Sequence, residues 1–209
     1  MADIFDEINE DLKQDQLRKL WARYGKYVII LILLVVLSVG ARQGYNIWHD
    51  KQTTTAAIAY HKAANADNSS EALTGLLGQL NAGYAMLARF DIAAAQAKDM
   101  EYTTAEASYL ALSKDPDIKK LYRQAAVLLS VMNAPDSRDD NELVARLLGL
   151  ESQAGPWQAM ALEQAASLAL RMGNRDLATR KYENLAGLSD IPAGIRQRAR
   201  QMLQILEVR

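Results

Sequence analysis

The stretch Tyr27 to Ala41, YVIILILLVVLSVGA, constrains this chain more than any other. It runs for 15 residues without a charge or a proline, against about 20 apolar residues for a helix that crosses a bilayer. The flanks extend it. Trp21, Tyr24 and Tyr27 precede it and Tyr45 and Trp48 follow it, the amphipathic rings expected at headgroup level. Lys26 and Arg42 can lay their alkyl stems along the helix and lift their charges to the surface. These features predict one membrane-spanning helix over residues 24–45. A buried core helix would normally keep a polar stripe, and none is visible. Val39-Gly40-Ala41 loosely resembles a signal-peptide cleavage site, but the acid-rich region before it is longer than a short basic leader.

The span divides the chain of 209 residues. Residues 1–23 form an N-terminal arm, 46–70 a helical stalk or linker, and 71–209 a domain large enough to bury its own core. Arg18, Lys19, Arg23 and Lys26 lie just before the span, with no acid after Asp15, whereas Asp50 offsets Arg42 and Lys51 beyond it. The positive-inside rule then places the N-terminus in the cytoplasm and the large domain outside, which in a Gram-negative bacterium is the periplasm. From Arg42 onward acids and bases balance at 19 each, so charge points to neither a nucleic acid nor a polyanion. The absence of cysteine excludes disulfides and thiolate chemistry.

In the arm, Ile4, Phe5, Ile8, Leu12, Leu17, Leu20 and Trp21 follow helical spacing over residues 3–22. The simpler reading is a solvated arm resting on the bilayer, and the sharper one a docking helix for a cytoplasmic partner. Gly40 and Gly44 have the GxxxG spacing that lets helices approach in lipid. With Arg42 between them at the interface, it is read as coincidence. Asn46 to Ala66 contains no helix breaker and prolongs the helix outward. Asp67-Asn68-Ser69-Ser70 ends it, with Ser69 or Ser70 as the next N-cap.

The remainder is predicted to be all-α, with helices at Glu71–Leu80, Tyr84–Lys98, Thr103–Ser113, Asp117–Met132, Asp139–Glu151, Trp157–Met172, Arg175–Ala186 and Ala193–Glu207. Each break between them contains Gly, Pro, Asn or Asp. Short connections imply antiparallel neighbours. Sliding the chain by 73 residues sets Gly83-Tyr84 against Pro156-Trp157, Ala93 against Ala166, Ala105 against Ala178, Tyr109 against Tyr182 and Leu112 against Leu185. Alternate helices begin about 36 residues apart, close to the roughly 34-residue period of helix–turn–helix repeats. A pair of short amphipathic helices cannot bury its apolar face alone, whereas stacked pairs share a core. A helical-hairpin solenoid is therefore expected, with the small residues allowing close approach and the tyrosines filling space between pairs.

Ala105-x3-Tyr109 and Ala178-x3-Tyr182 resemble the small-x3-aromatic signature of the second tetratricopeptide helix, and Ala93 and Ala166 the small residue of the first. The Trp, Leu and Tyr of that first helix are missing, so the repeats are degenerate. The opening MADIFDEINEDLKQDQLRKLWARYGKY, the single span, Gly83-Tyr84-Ala85-Met86-Leu87-Ala88 and Pro156-Trp157-Gln158-Ala159-Met160-Ala161-Leu162-Glu163 resemble the bacterial inner-membrane proteins related to YfgM, an ancillary subunit of the SecYEG translocon. That resemblance covers essentially the whole chain. It implies a periplasmic scaffold near the translocon, associated with a membrane-anchored chaperone that receives secreted proteins.

Little chemistry is legible. His49 and His61 lack the i, i+4 spacing of a helical zinc pair, and there is no GxSxG, phosphate-binding or dinucleotide-binding loop. Asp136, Asp139, Asp140 and Glu142 lack the ligand spacing and central glycine of an EF-hand, and are read as a solvated helix start. Arg196, Arg198 and Arg200 form a basic cluster in the last helix. It is read as solvated, with a contact to acidic headgroups or an acidic partner as the sharper alternative for Arg196 and Arg200, which share a face. Tyr84, Trp157, Tyr109 and Tyr182 are assigned to the core. No catalytic, cofactor-binding or metal-binding residue is nominated. The expected partners are proteins and the lipid bilayer, with no nucleic acid, small-molecule substrate or cofactor, and the chain is expected not to be an enzyme. The rival reading is an envelope-stress adaptor whose arm binds a cytoplasmic signalling protein.

Overall fold

A computed structural model describes the backbone of residues 3–207; within it, the side chains of residues 3–21, 25, 28–30, 32 and 49 lie outside the description. The described residues form helices joined by short turns and loops, with no strand among them. The order is α1 (Asp3–Ala64), α2 (Ser69–Leu76), α3 (Ala82–Lys98), α4 (Tyr102–Lys114), α5 (Lys120–Met132), α6 (Asp140–Glu151), α7 (Gln158–Arg171), α8 (Arg175–Gly187) and α9 (Ala193–Glu207), with a 3-10 turn at Leu77–Gln79. By contacts the chain divides into residues 1–55 and 56–209. The division falls inside α1, within the stretch 46–70 expected to be a stalk.

The described residues of the first unit all belong to α1. The amphipathic face expected of residues 3–22 rests almost entirely on side chains outside the description. Among the described residues no helix is long and apolar enough to cross a membrane. The expected span includes Val28, Ile29, Ile30 and Ile32, whose side chains lie outside the described set.

In the second unit each core cluster joins three successive helical segments and shares one with the next. Ala63 of α1, Leu73 of α2 and Ala88 of α3 form the first. Ala93 of α3, Tyr109 and Leu112 of α4, and Ala126 of α5 form the second, plugged by Ile118 from the α4–α5 loop. Leu128 and Val131 of α5, Leu143 and Leu147 of α6, and Ala161 and Ala165 of α7 form the third. Ala159, Leu162 and Ala166 of α7, Tyr182 and Leu185 of α8, and Ala199 of α9 form the fourth. Helices α3, α5 and α7 thus each serve two clusters through different faces. Contacts run mainly between chain neighbours, with α5 also touching α7, and α7 touching α9. This is the quasi-one-dimensional arrangement of a repeat protein.

The helix ends follow from local chemistry. Asn81 caps α3 by accepting the Tyr84 N–H at 3.1 Å, Asn174 caps α8 by accepting that of Leu177 at 3.0 Å, and Asp139 caps α6 by accepting that of Asn141 at 3.0 Å. Three expected boundaries are corrected. The α-helix expected over 71–80 ends at Leu76 and tightens into the 3-10 turn, where Gly75 and Gly78 weaken helical continuation. The cap position of α2 is Asn68 rather than a serine, and its amide donates to Glu71 instead of capping the backbone. Helix α5 begins at Lys120 rather than Asp117, because Asp115 holds the Asp117 N–H at 3.0 Å in a local turn.

Candidate interaction surfaces

The matched residues of the two hairpins α3–α4 and α7–α8 occupy equivalent buried places. Ala93, Ala105, Ala166 and Ala178 have no exposed surface, Tyr109 and Tyr182 are 3% and 4% exposed, and Leu112 and Leu185 are 1% and 0%. Small residues at those points let the paired helices approach closely, and the tyrosine rings fill the space between neighbouring pairs. Burial pushes both phenols upward in pKa, Tyr109 with a contribution from Asp91 and Tyr182 from Glu163. Tyr84 and Trp157 are only half-buried. The Tyr84 ring lies 5.4 Å from that of Tyr60, and the Trp157 indole N–H donates to the Leu121 carbonyl at 3.0 Å.

Polar groups within the repeats stitch successive pairs together, and these escaped the sequence reading. Glu106 of α4 is 1% exposed and accepts Arg138 Nη2 and Arg146 Nη1, each at 2.6 Å. Arg146 also reaches Glu142. Burial pushes the Glu106 carboxyl upward, but the hydrogen bonds and charges of the two arginines together outweigh it and hold the pKa below the usual value. Lys181 of α8 donates to Glu151 at the end of α6 at 2.6 Å, leaving Glu151 Oε1 buried without a partner. The Tyr60 hydroxyl donates to Asp91, tying the end of α1 to α3. Burial and then that carboxylate push Tyr60 up to about 12. Glu142–Arg146 at i, i+4 was visible in the sequence. Arg138 and Arg146 lie 32 and 40 residues from Glu106, beyond any local signal.

The surface clusters are used internally to differing degrees. Arg198 pairs with Glu163 through both oxygens at 2.7 and 2.8 Å. Arg196 donates to the Leu188 and Ser189 carbonyls at 3.1 and 2.8 Å. Arg200 is exposed and has no partner among the described residues. It and Arg196 line a shallow 500 Å³ hollow with Gln197, Gln201 and Gln204. A second cleft of 640 Å³ lies between the loops around Pro156 and Pro192. In the acidic turn, Asp139 caps α6, Asp140 pairs with Arg171, and Glu142 pairs with Arg146. These are helix-start and ion-pair duties. No group of three candidate metal ligands exists among the described residues, and the His49 side chain lies outside them.

In the first unit the apolar surface stands uncovered. Leu31, Leu33, Leu34, Val35, Val36, Leu37 and Val39 are 54–68% exposed, a contiguous patch of the kind that marks contact with a membrane or another protein. Beyond the local helix backbone and the adjoining residues, nothing described lies within 4 Å of a Cβ built on Gly40 or Gly44.

A stack of antiparallel helix pairs with shared cores defines a repeat-type interaction scaffold. The chain belongs to the tetratricopeptide repeat-like domain family, whose model matches residues 18–205. No curated protein and no solved structure matches it.

Proposed function

We propose that the chain is a single-pass inner-membrane protein whose repeat unit acts in the periplasm as a non-enzymatic scaffold. Its most specific form is an ancillary subunit of the Sec translocon that links it to a membrane-anchored periplasmic chaperone. The observation carrying the membrane part is the uncovered apolar stretch from Leu31 to Val39, which continues in sequence through the apolar residues 27–30 and is bounded by aromatic and basic residues. Residues 24–45 span, and the flanking bases orient the N-terminus to the cytoplasm. The scaffold part is supported by the repeat architecture, which presents long helical surfaces without requiring a catalytic centre. The translocon and chaperone partners rest on the resemblance of the arm and the repeat-opening segments.

Reporter fusions at the C-terminus test the orientation. Activity restricted to periplasmic reporters is expected, and activity restricted to cytoplasmic ones overturns it. Photocrosslinking from positions 31–39 and from the repeat unit in living cells tests the partners. Translocon adducts from the span and chaperone adducts from the repeat unit are expected. Recovery of neither removes the translocon assignment. Deleting residues 1–22 separates the scaffold, which retains those adducts, from the adaptor reading, which loses function with the arm.

A further inference from the structure

One edge of the repeat unit is built from the α3–α4, α5–α6 and α7–α8 loops. Glu106, in the second turn of α4, receives Arg138 from the α5–α6 loop, and Arg171, in the last turn of α7, reaches Asp140 and Asp136 beside that loop. Antiparallel packing of α4 and α5 sets the start of one beside the end of the other. Along this edge Met100 is 74% exposed, Tyr102 43% and Met132 46%.

Met100 is unusual in its backbone as well as its exposure. Its φ is +64°, and it is the one non-glycine residue with positive φ among those described. The matched position 73 residues on is Gly173, at φ +72°. Both end a helix with the same bonds: the next residue's N–H reaches back to a carbonyl five residues earlier, Glu101 to Gln96 and Asn174 to Ala169, each at 2.8 Å. This left-handed closure favours glycine. At position 100 a long apolar side chain is kept instead, at conformational cost, while most of its surface remains in water.

The surrounding charge is mainly acidic, with Lys98 the exposed base beside Asp99. Asp99 and Glu101 flank Met100, are exposed, and have no ion-pair partner among the described residues. Asp136 is fully exposed and meets Arg171 only at 4.0 Å. The neighbouring arginines are committed, Arg138 to Glu106 and Arg171 to Asp140.

We propose that this edge docks a basic amphipathic segment of a partner protein. Its apolar side chains seat on Met100, Tyr102 and Met132, and its lysines or arginines face Asp99, Glu101 and Asp136. Methionine suits such a surface because its unbranched, polarizable chain adapts to varied partners. The acidic rim favours cationic segments and speeds their encounter at low salt. This inference rests on the scaffold reading and names the chemistry of one partner.

The test uses the full chain in nanodiscs of zwitterionic lipid, with empty discs as the blank. The probe is a fluorescent leucine–lysine amphipathic peptide, and its counterpart carries glutamate at every lysine. The lysine peptide is expected to bind above the blank and the glutamate peptide not to. Met100→Gly is expected to weaken binding about tenfold, the loss of one buried methionine anchor, while the thermal unfolding midpoint holds or rises. Asp99→Lys with Glu101→Lys is expected to weaken binding several-fold and flatten its salt dependence. Binding equal to the blank, binding unchanged by both variants, or equal binding of the glutamate peptide overturns the proposal. Protein crosslinks from other faces of the repeat unit, with this edge silent, sink only this inference. Loss of all protein crosslinks sinks the scaffold reading itself.

Discussion

The hairpins α3–α4 and α7–α8 share a buried skeleton and differ in the polar chemistry around it. Ala88 and Ala161, Ala93 and Ala166, Ala105 and Ala178, Tyr109 and Tyr182, and Leu112 and Leu185 are buried at matched positions. Around them the chemistry diverges. Glu106, held by two arginines, corresponds to Thr179; Ser108, bonded to Gln96, corresponds to Lys181, bonded to Glu151. Met100 corresponds to Gly173. The shared residues set the distance and register of helices within a pair, so they are confined to small or shape-filling side chains. The polar residues around that skeleton answer to a different neighbour each time: Glu106 to arginines of the next pair, Ser108 to Gln96 of its own, Lys181 to Glu151 of the preceding one.

The shared skeleton is where substitution has the largest expected effect. Tyr109→Ala and Tyr182→Ala each remove a ring that bridges three helices. Each is expected to cost about 4 kcal/mol, with the two losses agreeing within about 1 kcal/mol. Denaturant unfolding of the full chain in detergent, followed by helical circular dichroism, measures both. A large disparity between them would break the equivalence of the hairpins.

Next comes the junction chemistry, where the hairpins are expected to part. Glu106→Ala leaves Arg146 without its buried carboxylate and is expected to cost about 3 kcal/mol, whereas Thr179→Ala is expected to cost less than about 1 kcal/mol. Acid separates them further. With its folded pKa below the usual carboxylate value of 4.5, Glu106 contributes stability above that pH. The contribution fades as pH falls through the folded pKa. Unfolding measured from pH 7 down to about pH 3 should show this acid-labile component in the parent and in Thr179→Ala. Glu106→Ala should lack it, and an identical pH profile in that variant would assign the acid sensitivity to other carboxylates.

How much of this was legible beforehand follows the same division. The skeleton was, because Ala105-x3-Tyr109 and Ala178-x3-Tyr182 lie within single helices and repeat at a fixed offset. Helix ends marked by Asn81, Gly173-Asn174 and Pro192 were legible too. Helix α5 begins three residues after Asp117, the start its sequence suggests, because Asp115 captures the Asp117 N–H and Ile118 turns inward at 6% exposure. The junctions were not legible. A lone Glu106 in an alanine-rich helix carries no sign that bases 32 and 40 residues away will converge on it. In sequence Arg196 and Arg198 read as a solvated basic cluster, whereas tertiary packing gives them the Leu188 and Ser189 carbonyls and Glu163. Edge residues such as Met100 acquire meaning only from φ, which neither composition nor periodicity encodes.

The smallest expected effect isolates that last difference. Beyond Gly173 and its chain neighbours nothing lies within 4 Å of where a Cβ would sit, so a side chain there meets no tertiary obstacle and its cost is conformational. Gly173→Met is expected to destabilise by about 1 kcal/mol, and Met100→Gly to stabilise by a similar amount. Because the two closures share a backbone geometry, combining the swaps should restore parent stability within a few tenths of a kcal/mol. Thermal unfolding midpoints of the two single variants and the double variant decide this. If Met100→Gly destabilised instead, its side chain would be making a contact within the chain, and its exposure could no longer be attributed to a partner.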